Sequence, residues 1–216
     1  MTDIRAAVLP LLRRAISYEL GMWRSLYRWT FRRPVAPGAN AEPFRYAATV
    51  TPLFLAFIGV SAIELPIVHV LLPWETVRFV ADLSGVYGLV WMLGMLASMR
   101  VHPHVASDAG LRIRHGASVD FTVPWEEIAM IRSRHRSVAK RRAVQFERTG
   151  SDLVMQVVIL NQTNIDVTLR RPTVVGWPKG GSEPVTELRL YVDDPAAFVA
   201  RTRERLAAPA TDTGAR

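Results

Sequence analysis

Cysteine is absent from the 216 residues, which excludes disulfides, thiolate metal sites and a cysteine nucleophile. A glycine-rich phosphate loop is missing too: Gly176–Gly181 lacks the Lys-Ser/Thr that would follow. Serine, histidine and aspartate occur without a motif that places them together. Glu126 and Glu127 are adjacent carboxylates, but neighbours in a strand point to opposite faces, and at a corner both are solvated. His69, His102 and His104 lack the spacing of a metal site, so no metal, no other cofactor and no enzymatic activity are expected. The basic stretch 132–142 carries no aromatic residue interleaved for base stacking, and there is no RNA-binding motif, which argues against nucleic acid. The first apolar run is short, broken by Pro10 and Arg13-Arg14, and has no cleavage pattern, so no secretory signal is expected.

What dominates instead is one apolar stretch, Ala47 to Met99, interrupted only at Pro73-Trp74-Glu75-Thr76. A spanning helix needs about 20 mostly apolar residues. Both halves, 47–72 and 77–99, are long enough, and they predict a transmembrane helical hairpin. Eight arginines and no lysine precede the first half, the turn carries no basic residue, and Arg100 follows the second half. The positive-inside rule then puts both termini in the cytoplasm of a multi-pass inner (plasma) membrane protein. The formal charge of +8 and pI near 10.7, beside a membrane hairpin, point to anionic headgroups.

Residues 1–33 predict an amphipathic helix. Ile4, Val8, Leu11, Ala15, Tyr18, Met22, Leu26 and Trp29 recur at three- and four-residue steps among arginines. Such a helix suits the membrane interface, or packs on the C-terminal domain or a neighbouring subunit. Arg33-Pro34 and Pro37-Gly38 end it, and 34–46 reads as a linker. Phe44 and Tyr46 mark the point of entry into the bilayer.

After residue 100 the pattern changes to short alternating runs. Strands are predicted over 110–114, 119–123, 128–134, 143–147, 153–160, 165–169 and 185–192. Asp194 and Pro195 suit the N-cap and first position of a closing helix with Phe198, Val199, Thr202 and Leu206 on its apolar face. Residues 208–216 are small and polar and predict a disordered tail. Seven short strands closed by one helix is a pleckstrin-homology-like (PH-like) count. The run Asp108–Arg114, the corner Val123-Pro-Trp-Glu-Glu-Ile128 and the ending Val192-Asp-Asp-Pro-Ala-Ala-Phe198 resemble the bacterial PH-like membrane proteins. The resemblance covers about residues 47–207. It implies an α+β membrane protein with a hairpin and, over 101–207, a cytoplasmic seven-stranded PH-like barrel or sandwich.

Two clusters are candidate sites. Glu64, His69, Arg78 and Asp82 lie in the half of the hairpin nearest its turn, with Arg78 and Asp82 four apart and able to pair. They read either as a structural ion pair or as a polar cluster that meets other membrane helices or handles ions. Pro66 can kink the first helix beside Glu64. Ser84-x-x-x-Gly88 and Gly94-x-x-x-Ser98 let a helix approach closely, either the first span or another subunit. The second cluster is basic and contains no acid: Arg132, Arg134, Arg136, Lys140, Arg141 and Arg142. In a PH-like domain its middle is a loop opening at the same end as His115 and as Arg170, Arg171, Trp177 and Lys179. Such a mouth would bind anionic inner-leaflet lipids or a protein partner. The expected function is non-catalytic recognition at the membrane surface. The alternative is a subunit or regulator of a larger membrane complex, or a homo-oligomer through the transmembrane helices, and less so an ion-handling protein.

Overall fold

The computed structural model describes residues 2–33, 38, 40–139, 142–176 and 183–207. Among the described residues the chain is α+β, with four α-helices and two sheets, and it divides into two units. One unit holds helices α1 (Thr2–Thr30), α2 (Val50–Leu71) and α3 (Glu75–Val101), together with Gly116–Ser118. The other holds all nine strands and helix α4 (Pro195–Ala207).

In the helical unit, α2 and α3 are each long and apolar enough to cross a membrane. Leu53, Phe57, Ile63, Val70, Phe79 and Leu83 are exposed on them, a coat that suits lipid rather than water. Leu72-Pro73-Trp74 joins the two helices, and Glu75 places a carboxylate on the first turn of α3, where the helix dipole favours it. Small residues set the packing. A Cβ on Gly85 would lie 3.2 Å from Leu65 of α2, and one on Gly94 would lie 2.9 Å from Met22 of α1. Gly94 therefore lies against α1, and the first span approaches α3 at Gly85. α1 runs unbroken through Pro10 and buries Met22 and Ser25. The Tyr87 hydroxyl donates to Glu19, and the Arg100 guanidinium lies 5.9 Å from the Trp29 ring centre. These contacts fasten α1 along α3.

The strand unit has a four-stranded antiparallel sheet in the order β1-β2-β3-β4: β1 (Glu42–Phe44), β2 (His104–Ser107), β3 (Gly110–His115) and β4 (Val119–Val123). A five-stranded sheet in the order β5-β8-β9-β7-β6 contains β5 (Ile128–Ser137), β6 (Val144–Thr149), β7 (Asp152–Val157), β8 (Gln162–Thr173) and β9 (Val185–Leu190). Among the described residues only the β7–β9 pairing is parallel. Neither sheet closes into a barrel among the described residues. Alternation decides the faces: Val119, Phe121 and Val123 are buried while Asp120 and Thr122 are exposed. Leu111, Ile113, Ile131, Ile165, Val167 and Leu188 meet in one core with Phe198 of α4. The Asp194 carboxylate accepts the Ala197 N–H at 2.9 Å and caps α4. Gly110 has φ +131°, and a Cβ there would sit 2.3 Å from the Val123 carbonyl, so only glycine fits this turn.

Two corrections follow. The expected strand count was seven, and nine are present. The additional pair, β1 and β2, lies where a linker and the tail of a helix were expected. Residues 42–44 are not a linker: they pair with 104–106 across the whole hairpin sequence. The Phe44 ring packs edge-on against Phe198, with centroids 4.8 Å apart, and the Asp193 N–H donates to the Arg45 carbonyl at 2.8 Å. The chain thus leaves the strand unit after β1 and returns to it at β2. The expected tail at 208–216 lies outside the described residues.

Candidate functional site: the basic strand and the hairpin acids

β5 is an edge strand of ten residues, paired only with β8. Arg132, Arg134 and Arg136 all lie in the strand, so the loop expected around them begins later. A register shift, as at a β-bulge, lies between Ser133 and Arg136. Arg136 donates from Nη2 to Asp166 Oδ2 at 2.9 Å and from Nε to Oδ1 at 3.3 Å. Asp166 is fully buried, and its hydrogen bonds raise the Arg136 pKa above the usual arginine value. Arg189 Nε lies 3.9 Å from the same carboxylate while bonding Glu187 and Glu147 at 2.7 and 3.1 Å. Arg136 is therefore part of a buried charge network. Arg132 and Arg134 are exposed, and no carboxylate partner is found for either among the described residues.

The other basic residues do not gather at one mouth. Arg170 and Arg171 follow Leu169, which faces Ile128 at the start of β5, whereas Arg142 lies beyond Ser137 at its end. Nine residues of strand separate those ends by about 30 Å. The antiparallel register thus corrects the expectation of a shared opening. Arg170 Nε donates to the Ile128 carbonyl at 3.1 Å, and Arg171 lies 3.8 Å from Glu127. Lys140, Arg141, Trp177 and Lys179 lie outside the described residues. His115 is not at a mouth either: its ring is stacked 5.9 Å from Tyr46, and burial pushes its pKa down to about 4.

α4 adds a residue that the sequence reading did not include. A groove of about 630 Å³ runs between β5 and α4, lined by Arg132, Ser133, Pro195, Ala196, Val199, Ala200 and Arg203. Arg203 Nη2 donates to the Ile131 carbonyl at 3.3 Å, so it caps the open edge of β5. The alternation of arginine at 132, 134 and 136 was a legible strand signal. The approach of Arg203 depends on how α4 packs and was not legible.

In the helical unit the expected Arg78–Asp82 pair is replaced. Asp82 Oδ2 lies 2.6 Å from His69 Nδ1 across the hairpin, and no partner is found for Arg78 among the described residues. The contacts Leu65–Gly85 and His69–Asp82 fix the register of the hairpin, which sets Glu64 level with residue 86. Glu64 therefore lies about 6 Å farther from the turn than Asp82, a larger offset than a turn-centred hairpin implies. Glu64 and Asp82 both line a groove of about 410 Å³ with Ser61, Gly85, Gly88 and Trp91. Among the described residues no three His, Asp or Glu side chains converge as metal ligands.

Comparison with protein-family models, with curated proteins and with solved structures finds no match for this chain.

Proposed function

We propose that this is a non-catalytic, multi-pass inner-membrane protein whose strand unit faces the cytoplasm and recognises anionic lipid headgroups at the bilayer surface. The observation that carries the reading is the exposed pair Arg132 and Arg134 on an edge strand, left without carboxylate partners when Arg136 has one. Each basic residue held near an anionic surface contributes about 1 kcal/mol of attraction. The β1–β2 pairing supports an even number of crossings, because residues on either side of the hairpin sequence share one sheet and so one side of the membrane. Arginine bias assigns that side to the cytoplasm. On α1, Leu12, Ile16, Leu20 and Trp23 remain exposed beside Arg13 and Arg24, which fits a helix that also touches the interface.

The PH-like reading gains support from topology. With the β6–β7 hairpin set aside as an insertion, seven strands remain: a four-strand meander, a three-strand meander β5-β8-β9, and α4 to close them. The hairpin α2–α3 is then an insertion between the first two strands. A second reading, membership of a larger membrane complex, is favoured by the Glu64–Asp82 groove, since carboxylates at depth usually face protein.

The test is flotation of the full chain, held in nanodiscs of uncharged phosphatidylcholine, with vesicles of graded anionic content over a salt series. Attachment that rises with anionic content and weakens with salt is expected. Indifference to vesicle charge would remove the lipid reading and favour a protein partner.

A further inference from the structure

We infer that the groove between β5 and α4 is a binding site for an organic phosphate group, held between the guanidiniums of Arg132 and Arg203. The inference rests on the headgroup reading above and names the chemistry that would make it selective.

The argument begins with which arginines are already committed to carboxylates. On α4, Arg201 lies 3.4 Å from Glu204 and 3.6 Å from Glu42, and Arg205 donates to Asp108 at 3.0 Å. On β5, Arg136 holds Asp166. Arg203 meets only the Ile131 carbonyl, and Arg132 has no carboxylate partner among the described residues. These two, one from each element, line the same groove, and no acid lines it with them. A guanidinium presents a planar fork of donors that matches phosphate oxygens, and two forks suit a doubly charged monoester. Ser133 lines the groove as well. The first turn of α4 adds little, because Pro195 has no N–H and Asp194 already accepts the Ala197 N–H.

The remaining wall explains why the phosphate would carry carbon. Ala196, Val199 and Ala200 stand three and four apart on one face of α4, so small apolar side chains floor the groove beside the arginines. About 630 Å³ lies within the size range of small-molecule sites. A phosphorylated glycerol or a similar headgroup fills it, with its phosphate on the guanidiniums and its carbons on alanine and valine. The source is either a lipid monoester headgroup or a soluble phosphate ester.

The experiment uses the full chain in phosphatidylcholine nanodiscs. Two probes separate the sources: glycerol 3-phosphate, followed by ³¹P line broadening with sulfate as the competing anion, and vesicles bearing phosphatidic acid against phosphatidylserine vesicles matched in charge. Saturable binding of glycerol 3-phosphate that sulfate does not displace, and preference for phosphatidic acid, are expected. Arg203→Ala should weaken both by about tenfold or more, as loss of a charge-assisted bond implies. Arg203→Lys, which keeps the charge and spares the fold, should weaken both as well. Arg148→Ala, on β6 at the opposite edge of the sheet, should leave the preference intact. Binding of the soluble ester without vesicle preference would support the groove and assign it a soluble ligand. Equal losses in Arg203→Ala and Arg148→Ala, or no saturable binding of either probe, would overturn the groove. If the unaltered protein attaches to all anionic vesicles without preference and binds no soluble ester, the groove fails and the headgroup reading survives. If no vesicle is bound at all, the headgroup reading fails.

Discussion

Replacing Arg136 with alanine should destabilise the strand unit, whereas replacing Arg134 should not. The two residues are alike in sequence and two apart, but only Arg136 donates to a carboxylate with no solvent exposure. Removing one partner of a buried pair costs about 3–5 kcal/mol, because the other charge is left stranded in a poor solvent. Arg189, 3.9 Å from Asp166, offsets part of that. The expected loss is at the lower end, about 3 kcal/mol. Arg134 is exposed, so Arg134→Ala should stay within about 0.5 kcal/mol. Urea unfolding of the full chain in detergent, followed by near-ultraviolet circular dichroism, reads both. Adding Asp166→Asn to Arg136→Ala should recover part of the loss, since the stranded charge is then gone. Equal midpoints for the two arginine variants, or no recovery in the double variant, would refute the division of β5 into a structural and an exposed half.

Further outcomes test other parts of the fold. Phe44→Ala should cost about 3–5 kcal/mol in the same unfolding assay, because Phe44 is buried against Phe198; a linker residue would cost almost nothing. Lowering the pH should destabilise the strand unit. Burial pushes the His104 pKa down to about 3, and His104 Nδ1 accepts the Arg114 N–H at 3.1 Å, so the folded state favours neutral imidazole. The unfolded chain then binds the extra protons. Stability should be full above about pH 6.5 and fall on acidification toward pH 4, by about 1.4 kcal/mol per pH unit for each buried histidine. An unfolding midpoint flat over that range would contradict the assignment. Asp82→Asn and His69→Ala should be non-additive by about 0.6–1.7 kcal/mol in a double-mutant cycle in lipid; strict additivity would mean the pair does not form there. Gly110→Ala should lose about 1–3 kcal/mol, since its φ of +131° is strained for any side chain. A neutral substitution would show that the turn can rearrange.

Much of this architecture is legible in the sequence because it depends on local pattern. The two long apolar helices announce themselves by length and apolarity, and the Asp194-Pro195 start of α4 follows from capping chemistry. Among the strands, β4 shows the period of two cleanly. β1 and β2 escape that logic. They have three and four residues, too few for a period, and their pairing partners are about sixty residues apart in the chain. At the candidate site the arginine stretch is visible, but its division is not. A buried carboxylate on β8 holds Arg136, while Arg132 and Arg134 have no carboxylate partner among the described residues. In the hairpin, helical spacing suggests Arg78 for Asp82, whereas interhelical register supplies His69 instead. Long-range register, rather than composition, carries the missing information in each case.

The headgroup proposal is tested most directly by comparing two charge reversals in the flotation assay. Arg132→Glu with Arg134→Glu inverts the exposed half of β5, and Arg148→Glu inverts one residue on β6, at the opposite edge of the same sheet. Recognition through β5 predicts that the first pair abolishes attachment to anionic vesicles while Arg148→Glu leaves most of it. Attachment that survives reversal of Arg132 and Arg134, or falls equally in both proteins per charge changed, would contradict it.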